Sequence, residues 1–127
     1  MRKQYHFRPS QNGFFAWDVD RLVKLAAALP VETVPLSQIA EIDEPYWFYT
    51  GDEPTCRVLS EHFQLMTEAD LSYPIILCAE GRVMDGMHRV TKALAAGQAD
   101  IQCVRFRETP GADFTDVQPK DVFALID

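Results

Sequence analysis

Apolar and polar positions along the chain fall into helical and strand-like stretches. Residues 18–29 put Val19, Leu22, Val23 and Ala26 on one helical face, with Asp18 as N-cap and Pro30 as the stop. ETVPL (32–36) reads as a short strand, and SQIAEI after it as a turn or a single helical turn. A second helix is predicted from about Pro54 to Ala69, burying Val58, Leu59, Phe63 and Met66. Pro54 suits its first position, and Asp52 or Glu53 would cap it. PIILCA and RVMD are two apolar runs joined by Glu80-Gly81, the pattern of a tight hairpin. Helical spacing returns in VTKALAA, where Val90 and Leu94 are four apart, and Gly97 closes it. IQCVRF (101–106) alternates like a strand, and DVFALI (121–126) predicts a last short helix packed on the body. The order α-β-α-β-β-α-β predicts a small α/β (α+β) domain with a mixed sheet flanked by helices.

Two segments resist this periodic reading. The arm over residues 1–17 holds Tyr5, Phe7, Phe14, Phe15 and Trp17, too many aromatics for a free tail, so it is expected to dock on the body. IDEPYWFYTGDEP (42–54) is acidic, aromatic and broken by Pro45, Gly51 and Pro54, which makes it a loop. Its run Tyr46, Trp47, Phe48, Tyr49 could stack on a nucleobase, cover the core as a lid, or meet a protein partner, a second copy included. No linker divides the chain. The expected layout is one domain over 1–127, with an arm and helix (1–30), a core (31–106) and a C-terminal extension (107–127).

Charge narrows the partners. The 127 residues carry 12 Lys and Arg against 19 Asp and Glu, a net charge of −7. That balance argues against DNA, whose affinity for proteins rests on clustered cations. No apolar run approaches a membrane span, and the opening MRKQYHFRPS lacks the apolar core of a signal peptide, so the expected location is cytoplasmic. Cys56, Cys78 and Cys103 are widely spaced with no CxxC pair, which predicts ordinary thiols rather than a zinc site or disulfide framework.

The least ordinary stretch is VMDGMHRVTKALAAG (83–97). Its helix opens with His88 and Arg89, cations placed where the macrodipole is already positive. An anion would resolve the conflict. Free N–H groups at a helix start bind phosphate, Gly86 lets it approach the backbone, Arg89 can bind its oxygens in bidentate fashion, and His88 can donate or shuttle a proton. Asp85 could hold Mg²⁺ or take a proton from an attacking hydroxyl. The plainer reading makes Asp85 the N-cap and an i, i+4 partner of Arg89, a pair contributing about 0.2–0.5 kcal/mol.

This hairpin–turn–helix–strand unit, PIILCAEGRVMDGMHRVTKALAAGQADIQCVRF (74–106), resembles the ParB/sulfiredoxin-like domain superfamily, over roughly residues 31–106. The resemblance implies a nucleotide phosphate at the turn: ATP as in sulfiredoxins, CTP as in partition ParB proteins, or ADP as in ParB-like free-serine kinases, with Mg²⁺ accompanying the nucleotide. Gly86, Met87, His88 and Arg89 match the phosphate-binding turn, and Asp85 the acid before it in DGxHR-type members. Met87 stands where sulfiredoxins place their nucleophilic Cys, so sulfinic acid reduction by that route is excluded. The arginine-rich turn and helix-turn-helix of partition ParB proteins are missing from this sequence.

Two functions follow. The first is a nucleotide-dependent phosphotransferase or nucleotide hydrolase using Asp85, His88 and a second acid that Glu53 or Glu61 would supply, Glu53 being the candidate base. The second is a non-catalytic module that senses a ligand or binds a partner. His62 is expected at the core edge, with a substrate contact as its functional alternative, and Arg57 and Glu61 as a surface pair.

Overall fold

The aromatic arm docks as a β-hairpin. In the structure, a computed structural model that describes residues 3–48 and 51–124, Tyr5–Ser10 (β1) pairs antiparallel with Gly13–Asp18 (β2). Then come helix Val19–Ala26 (α1), strand Glu32–Pro35 (β3), 3₁₀ turns at Leu36–Gln38 and Ala40–Asp43, and helix Cys56–Glu68 (α2). Hairpin strands Ile75–Leu77 (β4) and Val83–Asp85 (β5) lead into helix Met87–Ala95 (α3), followed by strands Asp100–Arg105 (β6) and Phe114–Val117 (β7) and helix Pro119–Ala124 (α4).

These elements form an α+β domain with two sheets. The mixed sheet runs β3-β6-β4-β5, with β4 parallel to β6 and the other pairs antiparallel. The second sheet, β1-β2-β7, is antiparallel and joins the arm to the C-terminal extension. Sequence patterning predicted neither strand of the arm nor β7, because FTDV is polar and half exposed and carries no burial signal. What holds β7 is specific: Asp116 Oδ1 accepts from Ser10 Oγ at 2.7 Å and from the Asn12 N–H at 3.0 Å, clamping the hairpin turn.

β4 explains the shape of the core. All three of its residues are buried. Ile75 and Leu77 pack with Met87, Val90 and Ala93 of α3 on one face, while Ile76 and Cys78 pack with Leu22, Ala26 and Trp17 on the other. A strand covered on both faces reads as a continuous apolar run, which is why PIILCA does not alternate. Cys78 and Cys103 are core residues, and Cys56 is exposed.

The termini of the helices differ in how well they follow expectation. Asp18 caps α1, its Oδ1 accepting the Asp20 N–H at 2.9 Å. Gly97, at φ +74, ends α3: its N–H reaches Leu94 O and that of Gln98 reaches Ala93 O, a Schellman arrangement. α2, however, starts later than predicted. Thr55, not Asp52 or Glu53, is its cap, with Oγ1 accepting the Val58 N–H at 3.2 Å, because only Thr55 sits directly before the first helical residue. α4 begins at Pro119, two residues earlier than DVFALI suggested.

The buried faces also need correction. Val23 is 51% exposed, and α2 buries no residue fully. Leu59 and Phe63, predicted to be core, face solvent, since only the Val58, His62 and Met66 side of α2 is half-buried. Arg57 and Glu61 are exposed and form no ion pair among the described residues. Tyr49, part of the predicted aromatic run, lies outside the described residues. Among the described residues no helix is long and apolar enough to cross a membrane.

Candidate functional site

Strand β5 ends at Asp85 and α3 starts at Met87, so Gly86 must reverse the chain in one residue. It does so at φ +107, a conformation a side chain opposes, and a Cβ there would lie 2.7 Å from Ile75 Cγ2. Gly86 is the N-cap of α3 and no side chain caps the helix. The first-turn N–H groups thus open on the helix start without the carboxylate cap that the plainer reading assigned to Asp85.

Asp85 instead turns to Arg89. Its Oδ2 accepts from Arg89 Nη2 at 3.0 Å, and Arg89 Nη1 donates to the carbonyls of Tyr73 at 3.0 Å and Pro74 at 2.9 Å. The i, i+4 pair is therefore real and mostly shielded, with side chains 19% and 15% exposed. Burial pushes the Asp85 carboxyl above its ordinary range, and the Arg89 guanidinium offsets part of that. Arg89 is also pressed against the turn: its Nη2 would lie 2.9 Å from a Gly86 Cβ. Its charge bears on the helix start, while its hydrogen bonds hold the loop before β4.

His88 was read as a phosphate donor, and the structure gives it a different neighbour. Its Nε2 lies 2.8 Å from His62 Nδ1 on α2. Trp47 stacks over both imidazoles, with centroids 4.4 Å from His62 and 4.5 Å from His88, and Phe48 meets His62 edge-on. Burial lowers both histidines, His88 to about 4, and the charge of His62 adds to the effect there. One proton fits between the two facing nitrogens, so the geometry refuses protonation of both rings at once, and burial is what favours the neutral pair. Sequence reasoning placed His62 at the core edge and gave it no link to His88. The 26-residue separation and the intervening hairpin hide the contact, and the tryptophan over it belongs to a loop.

Glu53 is exposed and makes no hydrogen bond or ion pair with Asp85. Among the described residues no three His, Cys, Asp or Glu side chains gather as metal ligands. For a nucleotide, the fit is with its phosphate, at an uncapped helix start; the space a Gly86 Cβ would need is taken by Ile75 and Arg89, so that glycine serves the turn itself. For Mg²⁺ the turn offers one side chain, Asp85, with one oxygen already given to Arg89.

No protein-family model matches the chain, and comparison with curated proteins and with solved structures finds no match either.

Proposed function

We propose that this domain binds a phosphate-bearing ligand at the start of α3, a nucleotide such as ATP, ADP or CTP being the class its resemblance to ParB/sulfiredoxin-like domains implies. One observation carries the reading: α3 begins at a left-handed glycine with no side-chain cap and a guanidinium packed behind it. Backbone N–H groups of residues 87–89 would hold the phosphate oxygens, as helix starts do. Arg89 would act through its charge and by shaping the turn, since Asp85 and two carbonyls occupy its Nη atoms. His88 would contribute Nδ1, its Nε2 being bonded to His62. Binding is the function this arrangement supports; phosphoryl transfer would further require a second acid beside Asp85, and Glu53 is not bonded there.

The test is an amide ¹H–¹⁵N titration of the protein with inorganic phosphate, ATP, ADP and CTP, with and without Mg²⁺. Saturable shifts centred on residues 86–89 support the reading. No shifts there with any of these ligands, or shifts elsewhere only, defeat it. Turnover of a bound nucleotide that disappears in Asp85→Asn with binding intact would extend the reading to an enzyme.

A second reading, an interaction module, rests on α2, which exposes Leu59 and Phe63 four residues apart, Phe63 at 67%.

A further inference from the structure

α2, the longest helix, carries its end charges against its own dipole. Its first turn holds Arg57 and no acid, and its last turn holds Glu68 and no base. A helix start is the positive end of the macrodipole and a helix end the negative one, so each residue is disfavoured by the helix it stands on. Among the described residues neither has a salt-bridge partner, and Glu68 accepts from Gln64 Nε2 of its own helix at 3.2 Å.

The same side of α2 is apolar where it meets solvent. At 3.6 residues per turn, Leu59, Phe63 and Thr67 form one stripe, and Arg57, Gln64 and Glu68 form a row flanking it. All six are exposed, because the half-buried side of the helix is the one with Val58, His62 and Met66.

Charge order and apolar order agree on what would cover this face. The point midway between Arg57 and Glu68 along the helix falls beside Phe63. A second α2 laid antiparallel about a twofold axis through that point brings the copy's Glu68 to Arg57 and the copy's Arg57 to Glu68. Each acid then meets a positive helix start, each guanidinium a negative helix end, and the two Phe63 rings meet at the axis. A parallel copy would set like charges together at both ends. The antiparallel face is thus self-complementary, as a twofold interface must be.

We infer that the exposed face of α2 is a homodimer interface, two copies pairing antiparallel about Phe63 with Arg57–Glu68 ion pairs at both ends. The inference rests on the second reading above, the exposed face of α2, and not on the phosphate turn. One helix face offers less than the about 800 Å² per partner of a standard interface, so the dimer is weak, with Kd of roughly 10–500 μM. Below that range the chain is a monomer and α2 stays exposed.

Sedimentation velocity of the wild type and four variants, from about 5 μM to about 1 mM, tests it. Amide ¹H–¹⁵N spectra check that each variant is folded. The wild type should dimerise reversibly. Phe63→Ser should weaken the dimer at least about tenfold, the loss of its central aromatic anchor. Arg57→Glu and Glu68→Arg should each weaken it at least about fivefold, since either reversal replaces two attractive pairs by two repulsive ones. The double variant Arg57→Glu/Glu68→Arg restores both pairs in swapped order and should return Kd to within about threefold of the wild type. A chain still monomeric at about 1 mM overturns the inference. So does a dimer that Phe63→Ser leaves unchanged, or a double variant that dimerises no better than the single ones. Capture of a different protein by α2 of a monomeric chain also overturns the dimer, and leaves the interaction reading standing.

Discussion

His62 Nδ1 and His88 Nε2 face each other at 2.8 Å beneath the indole of Trp47. The contact joins α2, α3 and the aromatic loop through two rings that burial holds toward the neutral form. α2 gives no fully buried residue to the core, so this cluster is a principal tie between it and the rest of the domain.

Acidification should therefore loosen the fold before carboxylates titrate. All three histidines lie below their ordinary 6.5 in the folded state, His6 at about 3 and His88 at about 4. As pH drops below 6.5 the unfolded chain takes up protons that the folded chain refuses, so stability is complete above 6.5 and declines toward 4. Each such proton adds a slope of up to about 1.4 kcal/mol per pH unit. Carboxylates held low by partners, Asp18 and Glu44 among them, add their loss only at the acidic end of that window. Urea unfolding between pH 7 and 5 isolates the histidine part. A flat midpoint over that range would contradict it, and His6→Gln should reduce the slope.

The Asp85–Arg89 pair should behave asymmetrically. Arg89→Ala strands a mostly shielded carboxylate and frees two carbonyls, and should cost about 1–3 kcal/mol. Asp85→Asn should cost less, because burial already disfavours the Asp85 charge and an amide oxygen still accepts. Equilibrium unfolding of both variants and the double variant at pH 7 measures the coupling; equal losses in the two single variants would contradict the asymmetry.

Gly86→Ala should destabilise by roughly 2 kcal/mol or more. The strain of a left-handed residue accounts for about 1–2 kcal/mol of this, and the 2.7 Å approach to Ile75 Cγ2 adds to it. Gly97→Ala, with open space around its Cβ position, should lose only the strain. Thermal unfolding of the two proteins side by side reads the difference.

Phe63→Ser should change stability by no more than about 0.5 kcal/mol, as expected for an exposed site. A loss of several kcal/mol would show that α2 packs its outer face in the folded protein. Thr55→Ala should cost about 1 kcal/mol through the lost cap of the same helix.

How far the chain could be read in advance differs from element to element. The hairpin around Glu80-Gly81, α3 with its Gly97 end, and strand 100–105 were legible because local spacing and turn chemistry decide them. The Asp85–Arg89 pair was legible for the same reason, being one helical turn long. β7 was not, because its pairing with β2 spans almost the whole chain and FTDV has no apolar period; the arm hairpin is local, closed at Gln11-Asn12, but its aromatics by themselves mark only a segment that docks on the body. Leu59 and Phe63 misled because amphipathic spacing marks a face without saying what covers it. Of the candidate residues, Asp85, Gly86 and Arg89 meet in one network, His88 joins His62 instead, and Glu53 stands apart.

By itself the sequence determined the local pieces: an apolar strand for both faces of a sheet, a glycine where the chain must reverse, and cations at a helix start. Tertiary structure alone decided that His62 reaches His88, that Trp47 covers them, and that Glu41 is buried with its carboxylate on the Val83 N–H. The physical reason is distance along the chain. Spacing within a turn or a hairpin is set by backbone geometry, whereas these contacts arise only once hydrophobic burial has packed remote segments together.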